Sequence, residues 1–121
     1  MTSESDFVMR LIDRAPELRS HLDRHLADED GDLMPYLFMG EVAQWLSATS
    51  MQHQVHACDV LAWLEAEYVG GDFEVRNLID VGIVEMLPAT PGGDPVLHLL
   101  PKHLLQRAAV AGLLDAPESQ G

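Results

Sequence analysis

The stretch GDFEVRNLIDVGIVEML, residues 71–87, decides the fold. Gly70 and Gly71 stop whatever precedes it, and Asp72 carries the short acceptor side chain that suits a helix N-cap. At about 100° per residue, the apolar side chains over 75–87 surround almost the whole circumference. A helix that is apolar all round belongs in the middle of a domain. The run DVGIV (80–84) alone would also suit a buried strand, but no second convincing strand exists to pair with it. The stretch therefore predicts a central apolar helix over about 73–87 in an all-α domain. Two of its polar residues stand out. Asn77 and Glu85 are eight apart and fall within about one side of the helix; buried polar groups need partners, so they are expected to form a polar core contact or a polar pocket.

Working outward, the upstream sequence resolves into four more helices. Phe7, Val8, Leu11 and Ile12 recur at helical spacing, with Asp6 and Arg10 paired four residues apart on the outer side. The residue before a proline is pushed away from helical angles, which ends this helix near Ala15. Pro16 suits the first turn of a second helix with Leu18, Leu22 and Leu26 as its stripe. DEDGD (28–32) reads as a solvated acidic loop. A third helix from Leu33 carries Leu37, Phe38, Val42, Trp45 and Leu46, with Pro35 in its tolerant first turn, and the small residues 47–50 break it. A fourth runs over about 51–69. Its apolar arc holds Val55, Cys58, Leu61, Ala62, Tyr68 and Val69, and Trp63 projects the other way. Downstream, Asp94-Pro95 is a cap followed by a first-turn proline, and Pro101 splits the last segment into 96–100 and 102–114. The expectation is one domain over 1–114, an all-α bundle of five to seven helices, with a disordered tail over 115–121.

Length and composition agree with this. The 121 residues are 47 % apolar and 6 % aromatic, enough for one domain with a real core. Seven Lys plus Arg stand against twenty Asp plus Glu, a formal net charge of -13. Nucleic acid and anionic membrane surfaces require cationic patches, so neither is an expected partner. The charge is regional: over 28–94 thirteen acids face a single base, Arg76, whereas the ends, with Arg10, Arg14, Arg19, Arg24, Lys102 and Arg107, are mixed. The opening MTSESDFVMR has no basic n-region and no long apolar h-region. No run approaches the ~20 apolar residues of a membrane-spanning helix. Cys58 is the only cysteine, which fits a reducing compartment. A cytoplasmic domain is expected.

The core stretch, written G-D-x-E-V-x-N-L-I…V-E-x-L over 71–87, resembles a family of small, functionally uncharacterised bacterial domains. PELRSHLDRHLADEDGDLMPYLFMGEVAQWL (16–46) looks like the earlier part of the same family. Gly82, Ile83 and Met86 stand where that pattern has a small polar residue, an aromatic and an Asn. The resemblance covers most of the chain and implies an α-helical domain; it supplies no mechanism.

Candidate chemistry is sparse. His21 and His25 share a helical face at i and i+4, and Glu17 and Asp28 fall near the same line, so a metal site can be drawn; the plainer alternative packs His25 beside Leu22 and Leu26. HEXXH is absent because Leu22-Asp23-Arg24 fills the gap. Neither register of the acidic loop makes an EF-hand: with Gly31 sixth, Leu26 and Leu37 occupy the end positions, where oxygen donors are required. His56 and Cys58 are two apart and point in widely different directions on a helix, so Cys58 reads as a small core residue. Gly70-Gly71 and Gly92-Gly93 precede no phosphate-loop Lys-Ser/Thr and read as turns.

Trp63, flanked by His56, Asp59 and Glu67, has the composition of a partner-binding anchor; a neighbouring helix covering it is the alternative. No nucleophile, base and orienting group converge, so the chain is not expected to be an enzyme, and no cofactor is expected. The leading expectation is a small acidic module that binds a basic protein, in its specific form an immunity or antitoxin-like protein masking a basic nuclease-type toxin. The alternative is a helical ligand- or metal-binding sensor built on Asn77 and Glu85 or on His21 and His25.

Overall fold

The computed structural model describes residues 3–114, and it is all-α, with no strand among them. The helices are α1 (Ser3–Arg14), α2 (Arg19–Asp28), α3 (Pro35–Gln52), α4 (Gln54–Gly70), α5 (Phe73–Asn77), α6 (Asp94–Leu97) and α7 (Lys102–Val110). A 3-10 turn, Pro16–Leu18, leads into α2. The tail expected over 115–121 lies outside the described residues.

The central stretch is helical but changes its winding. Asp72 caps it as expected, its Oδ1 accepting from the Val75 N–H at 2.9 Å. After α5 the chain passes into a π turn, Leu78–Ile83, and then a 3-10 turn, Val84–Met86. A π turn rotates less per residue than an α-helix, so Leu78, Ile79, Gly82 and Ile83 gather on one side. That side packs against α3, the most extensive contact in the fold. The uniform apolar girdle drawn at 100° per residue is corrected accordingly: Phe73, Val81 and Met86 are exposed on the other side.

Around this contact the core is continuous. Phe7, Val8, Leu11 and Ile12 of α1 are all buried, as their spacing requires, and α2 adds Leu22 after Leu18 of the preceding turn. Helix α3 contributes Phe38, Met39, Val42, Ala43 and Leu46, while α6 and α7 close one end with Val96, Leu97, Leu104 and Ala108. Pro35 and Pro95 both sit in first turns, where a missing N–H costs nothing.

Two boundaries and one helix face differ from expectation. The small residues 47–50 do not break α3: Ser50 turns its hydroxyl back to the Leu46 carbonyl (2.7 Å), the bond that lets serine stay inside a helix. The chain bends instead at His53, with φ −142 and ψ 67. In α4 the buried line is Ala57, Val60, Leu61 and Leu64. Of the predicted arc only Leu61 is buried; Tyr68 is half-buried, and Val55, Cys58, Ala62 and Val69 are exposed. Apolar residues lie all round α4, so periodicity had no preferred face to report.

Candidate interaction surface

Helix α1 lies across the face of α4 that carries Trp63. The Trp63 ring is half-buried and stacks on Phe7, with centroids 5.5 Å apart and planes at 25°. The two orientations left open for Trp63 thus resolve towards cover by a neighbouring helix. The acids around it are engaged within the chain. Arg10 forks onto Glu67, Nη2 to Oε1 at 2.6 Å and Nε to Oε2 at 3.2 Å, rather than pairing with Asp6 as the i, i+4 spacing suggested. Arg14 Nη2 reaches Asp59 Oδ1 at 2.7 Å. His56 Nε2 lies 2.6 Å from Glu17 Oε2, and its ring meets Trp45 edge-on. The hydrogen bond to Glu67 raises the Arg10 guanidinium further above its ordinary value. Ion pairs this exposed add little stability; the aromatic stack and the burial behind it hold α1 in place.

Asn77 and Glu85 are not a buried polar pair. Glu85 is exposed, and Asn77 is half-buried with its Nδ2 donating to the Tyr36 hydroxyl at 2.6 Å, a bridge between α5 and the first turn of α3. The polar pocket expected from their spacing is therefore corrected: Glu85 falls in the 3-10 turn that follows the π turn and faces solvent.

The site drawn from His21 and His25 does not form either. His25 is 2 % exposed, and its Nε2 accepts the Met34 N–H at 3.0 Å. That nitrogen holds a lone pair in this network, and Nδ1 faces Glu41 Oε2 at 3.6 Å, beyond hydrogen-bond range. His21 Nδ1 lies near Arg24, and Glu17 is turned to His56. Among the described residues no three His, Cys, Asp or Glu side chains are grouped to hold a metal ion. His25 instead ties the end of the acidic loop to α2. His25→Phe keeps the ring but leaves the Met34 amide without its acceptor, and is expected to lower stability by about 1–3 kcal/mol, read as a lower urea midpoint at unchanged slope.

Two polar contacts had no local signal. Glu65 of α4 receives the His103 and Leu104 amides at the start of α7 and faces the His103 ring at 2.7 Å. Burial alone pushes its carboxyl up, but those amides and the ring outweigh it and hold the group below its ordinary value. Asp80 turns Oδ2 to Arg107, 3.0 Å from Nε and 2.8 Å from Nη2, while its Oδ1 is buried without a hydrogen-bond partner among the described residues. This pairing raises the Arg107 guanidinium. Both contacts join α7 to residues 27 to 39 positions away, beyond the reach of any helical spacing.

A cluster of acids without ion pairs lies elsewhere. Asp28, Glu29, Asp30 and Asp32 make no ion pair among the described residues. They surround a reversal in which Asp30 and Gly31 both take positive φ, +54 and +85, the second a conformation that favours glycine. Immediately beyond it Met34, Tyr36 and Leu37 are exposed. An unneutralised acidic turn thus adjoins three exposed apolar side chains at the start of α3.

A family model described as a domain of unknown function, DUF7674, matches residues 8–111. No curated protein and no solved structure matches the chain.

Proposed function

The chain belongs to the DUF7674 family, a domain of unknown function, and on that footing we propose that it is an acidic protein-interaction module that captures a basic partner through residues 28–37. One observation carries the reading: the acids of α4 are spent on internal pairs, whereas Asp28, Glu29, Asp30 and Asp32 stay free beside exposed Met34, Tyr36 and Leu37. Apolar anchors rimmed by charge are the composition of a specific interface, and a concentrated field of one sign accelerates encounter with the opposite sign. The partner surface moves from Trp63, Asp59, Glu67 and His56 to the α2–α3 turn, because α1 already occupies the first location. In its specific form the partner is a basic nuclease-type toxin and this chain its immunity or antitoxin-like protein. The reading is non-enzymatic: His56 and Cys58, two apart, point to different sides of α4. No helix among the described residues is long and apolar enough to cross a membrane, which agrees with a partner met in water.

The test uses a synthetic Lys/Arg-rich amphipathic peptide as probe, titrated at low and high salt. Binding is expected to weaken as salt rises. Neutralising the loop (D28N, E29Q, D30N, D32N together) is expected to lower affinity about tenfold or more, and Leu37→Asp to remove what survives at high salt. Neutralising Asp13, Glu74 and Glu85 instead serves as the control. Equal loss in the control, or binding indifferent to salt, rejects the reading.

A further inference from the structure

Helix α4 presents an apolar face that nothing among the described residues covers. Val55, Cys58, Ala62, Ala66 and Val69 are all exposed and fall in one stripe, opposite the buried line Ala57, Val60, Leu61 and Leu64. Val55 is 85 % exposed. Met51, just before α4, is 73 % exposed, and Phe73, just after it, is 79 % exposed. Among the described residues these three exceed every other large apolar side chain in exposure.

The order of the stripe is symmetric about Ala62. Four residues away on either side stand Cys58 and Ala66, and seven away stand Val55 and Val69. The helix itself, Gln54–Gly70, is centred on the same residue. A two-fold axis relating antiparallel helices makes each contact twice, residue i on j and j on i. A stripe that reads alike in both directions is therefore complementary to itself: Ala62 meets the partner's Ala62, Cys58 the partner's Ala66, and Val55 the partner's Val69. Small side chains at the centre allow the axes to approach to about 8 Å, near the lower limit for packed helices.

Charge selects the same face. Two copies at -13 each repel over most of their surface. Two of the three acids of α4 are the exception, because Asp59 is ion-paired with Arg14 and Glu67 with Arg10, while Glu65 is taken up by the His103 and Leu104 amides. Like-charged copies can come together where charge is already cancelled.

We propose that a second copy of this chain docks on α4, antiparallel and centred on Ala62. A helix of 17 residues is about 25 Å long and about 10 Å wide, so the stripe offers roughly 250 Å² per copy. A stable interface buries about 800 Å² per partner. The association is accordingly reversible and concentration-dependent, and it tightens with salt as repulsion is screened. That is the reverse of the salt response of basic-partner capture, so the two readings fail separately.

Sedimentation of the full chain up to about 1 mM, at low and high salt, tests the association. The mass is expected to climb from 13.4 kDa towards the dimer, and at lower concentration in high salt. Ala62→Arg places two cations on the axis and is expected to hold the chain monomeric with an unchanged melting curve, since Ala62 is exposed. The register is read by oxidation. In Ala66→Cys the new thiol faces the partner's Cys58, so a covalent dimer is expected to form faster than in the wild type. Within one chain positions 58 and 66 are about 12 Å apart along the helix, too far to close on themselves. A chain that stays monomeric at the highest concentration and salt overturns the proposal. So does a dimer indifferent to Ala62→Arg, or cross-linking of Ala66→Cys no faster than wild type.

Discussion

Gly82→Val is expected to destabilise the fold by about 3 kcal/mol or more, seen as a large drop in the urea midpoint by far-ultraviolet circular dichroism. Gly82 sits in the π turn where that turn crosses α3. A Cβ placed there lies 2.8 Å from Met39 Cβ and 3.2 Å from Met39 Cγ. Met39 is fully buried, and its Cβ moves only with the α3 backbone, so the clash cannot be relieved by a rotamer change. Valine adds two further carbons to a contact that alanine already closes. Gly40 provides the contrast on the facing helix: a Cβ there meets only Met86 Cε, at an ordinary 3.9 Å. Gly40→Ala is therefore expected to be neutral or to stabilise by up to about 1 kcal/mol, since alanine favours helix over glycine. Equal tolerance at both positions would show that the π turn does not approach α3 this closely.

That crossing also shows where sequence reasoning reached and where it stopped. Helix α1 was legible because Phe7, Val8, Leu11 and Ile12 form an unbroken stripe against a polar remainder, and Asp72, Pro35 and Pro95 mark their helix starts by chemistry that acts within three residues. Helix α4 was not legible, because apolar residues lie on every side of it and the choice of buried face depends on what α1, α3 and α7 bring against it. The winding of residues 78–83 was hidden for the same reason: an α wheel fits the letters, and only the fit of Gly82 on Met39 calls for the wider turn. The bend at His53 lacks both glycine and proline, so no local residue announced it, whereas the small residues 47–50 announced a break that the Ser50 back-bond removes.

Charge followed a similar course. The excess of acid over 28–94 is real in sequence, yet Arg10, Arg14 and Arg107 from the two ends fold onto Glu67, Asp59 and Asp80 within it. Partners 27 to 57 positions apart cannot be paired by spacing along one helix. After those pairings the densest group of acids without an ion pair among the described residues is the turn at residues 28–32. The same cancellation neutralises two of the three acids of α4, Asp59 and Glu67. One set of ion pairs, each worth little to stability, thereby decides which surface suits a cation and which suits a second copy.

Glu65→Ala is expected to cost about 2–4 kcal/mol and to release the start of α7, because one carboxylate does the capping that α7 lacks from its own sequence. Pro101 precedes α7 and provides no side-chain acceptor. Glu65, from α4, accepts the His103 amide at 2.9 Å and the Leu104 amide at 3.1 Å, a negative charge at the positive end of a helix. Hydrogen exchange should show the loss first at the amides of residues 103–106, while those of α1 and α3 keep their protection until global unfolding. Glu65→Gln retains one acceptor without the charge and is expected to cost about half as much. The acid dependence has a definite sign. Burial raises the Glu65 carboxyl, the His103 and Leu104 bonds lower it more, and the net position is below its ordinary 4.5. Folding therefore favours the ionised form: its contribution is complete above that value and is lost as pH falls through and below it. The stability difference between wild type and Glu65→Gln should accordingly be flat from pH 7 to about 5 and shrink on further acidification. A difference that grows as the solution is acidified would mean that the protonated acid is the better cap, and the role assigned to Glu65 would fall with it.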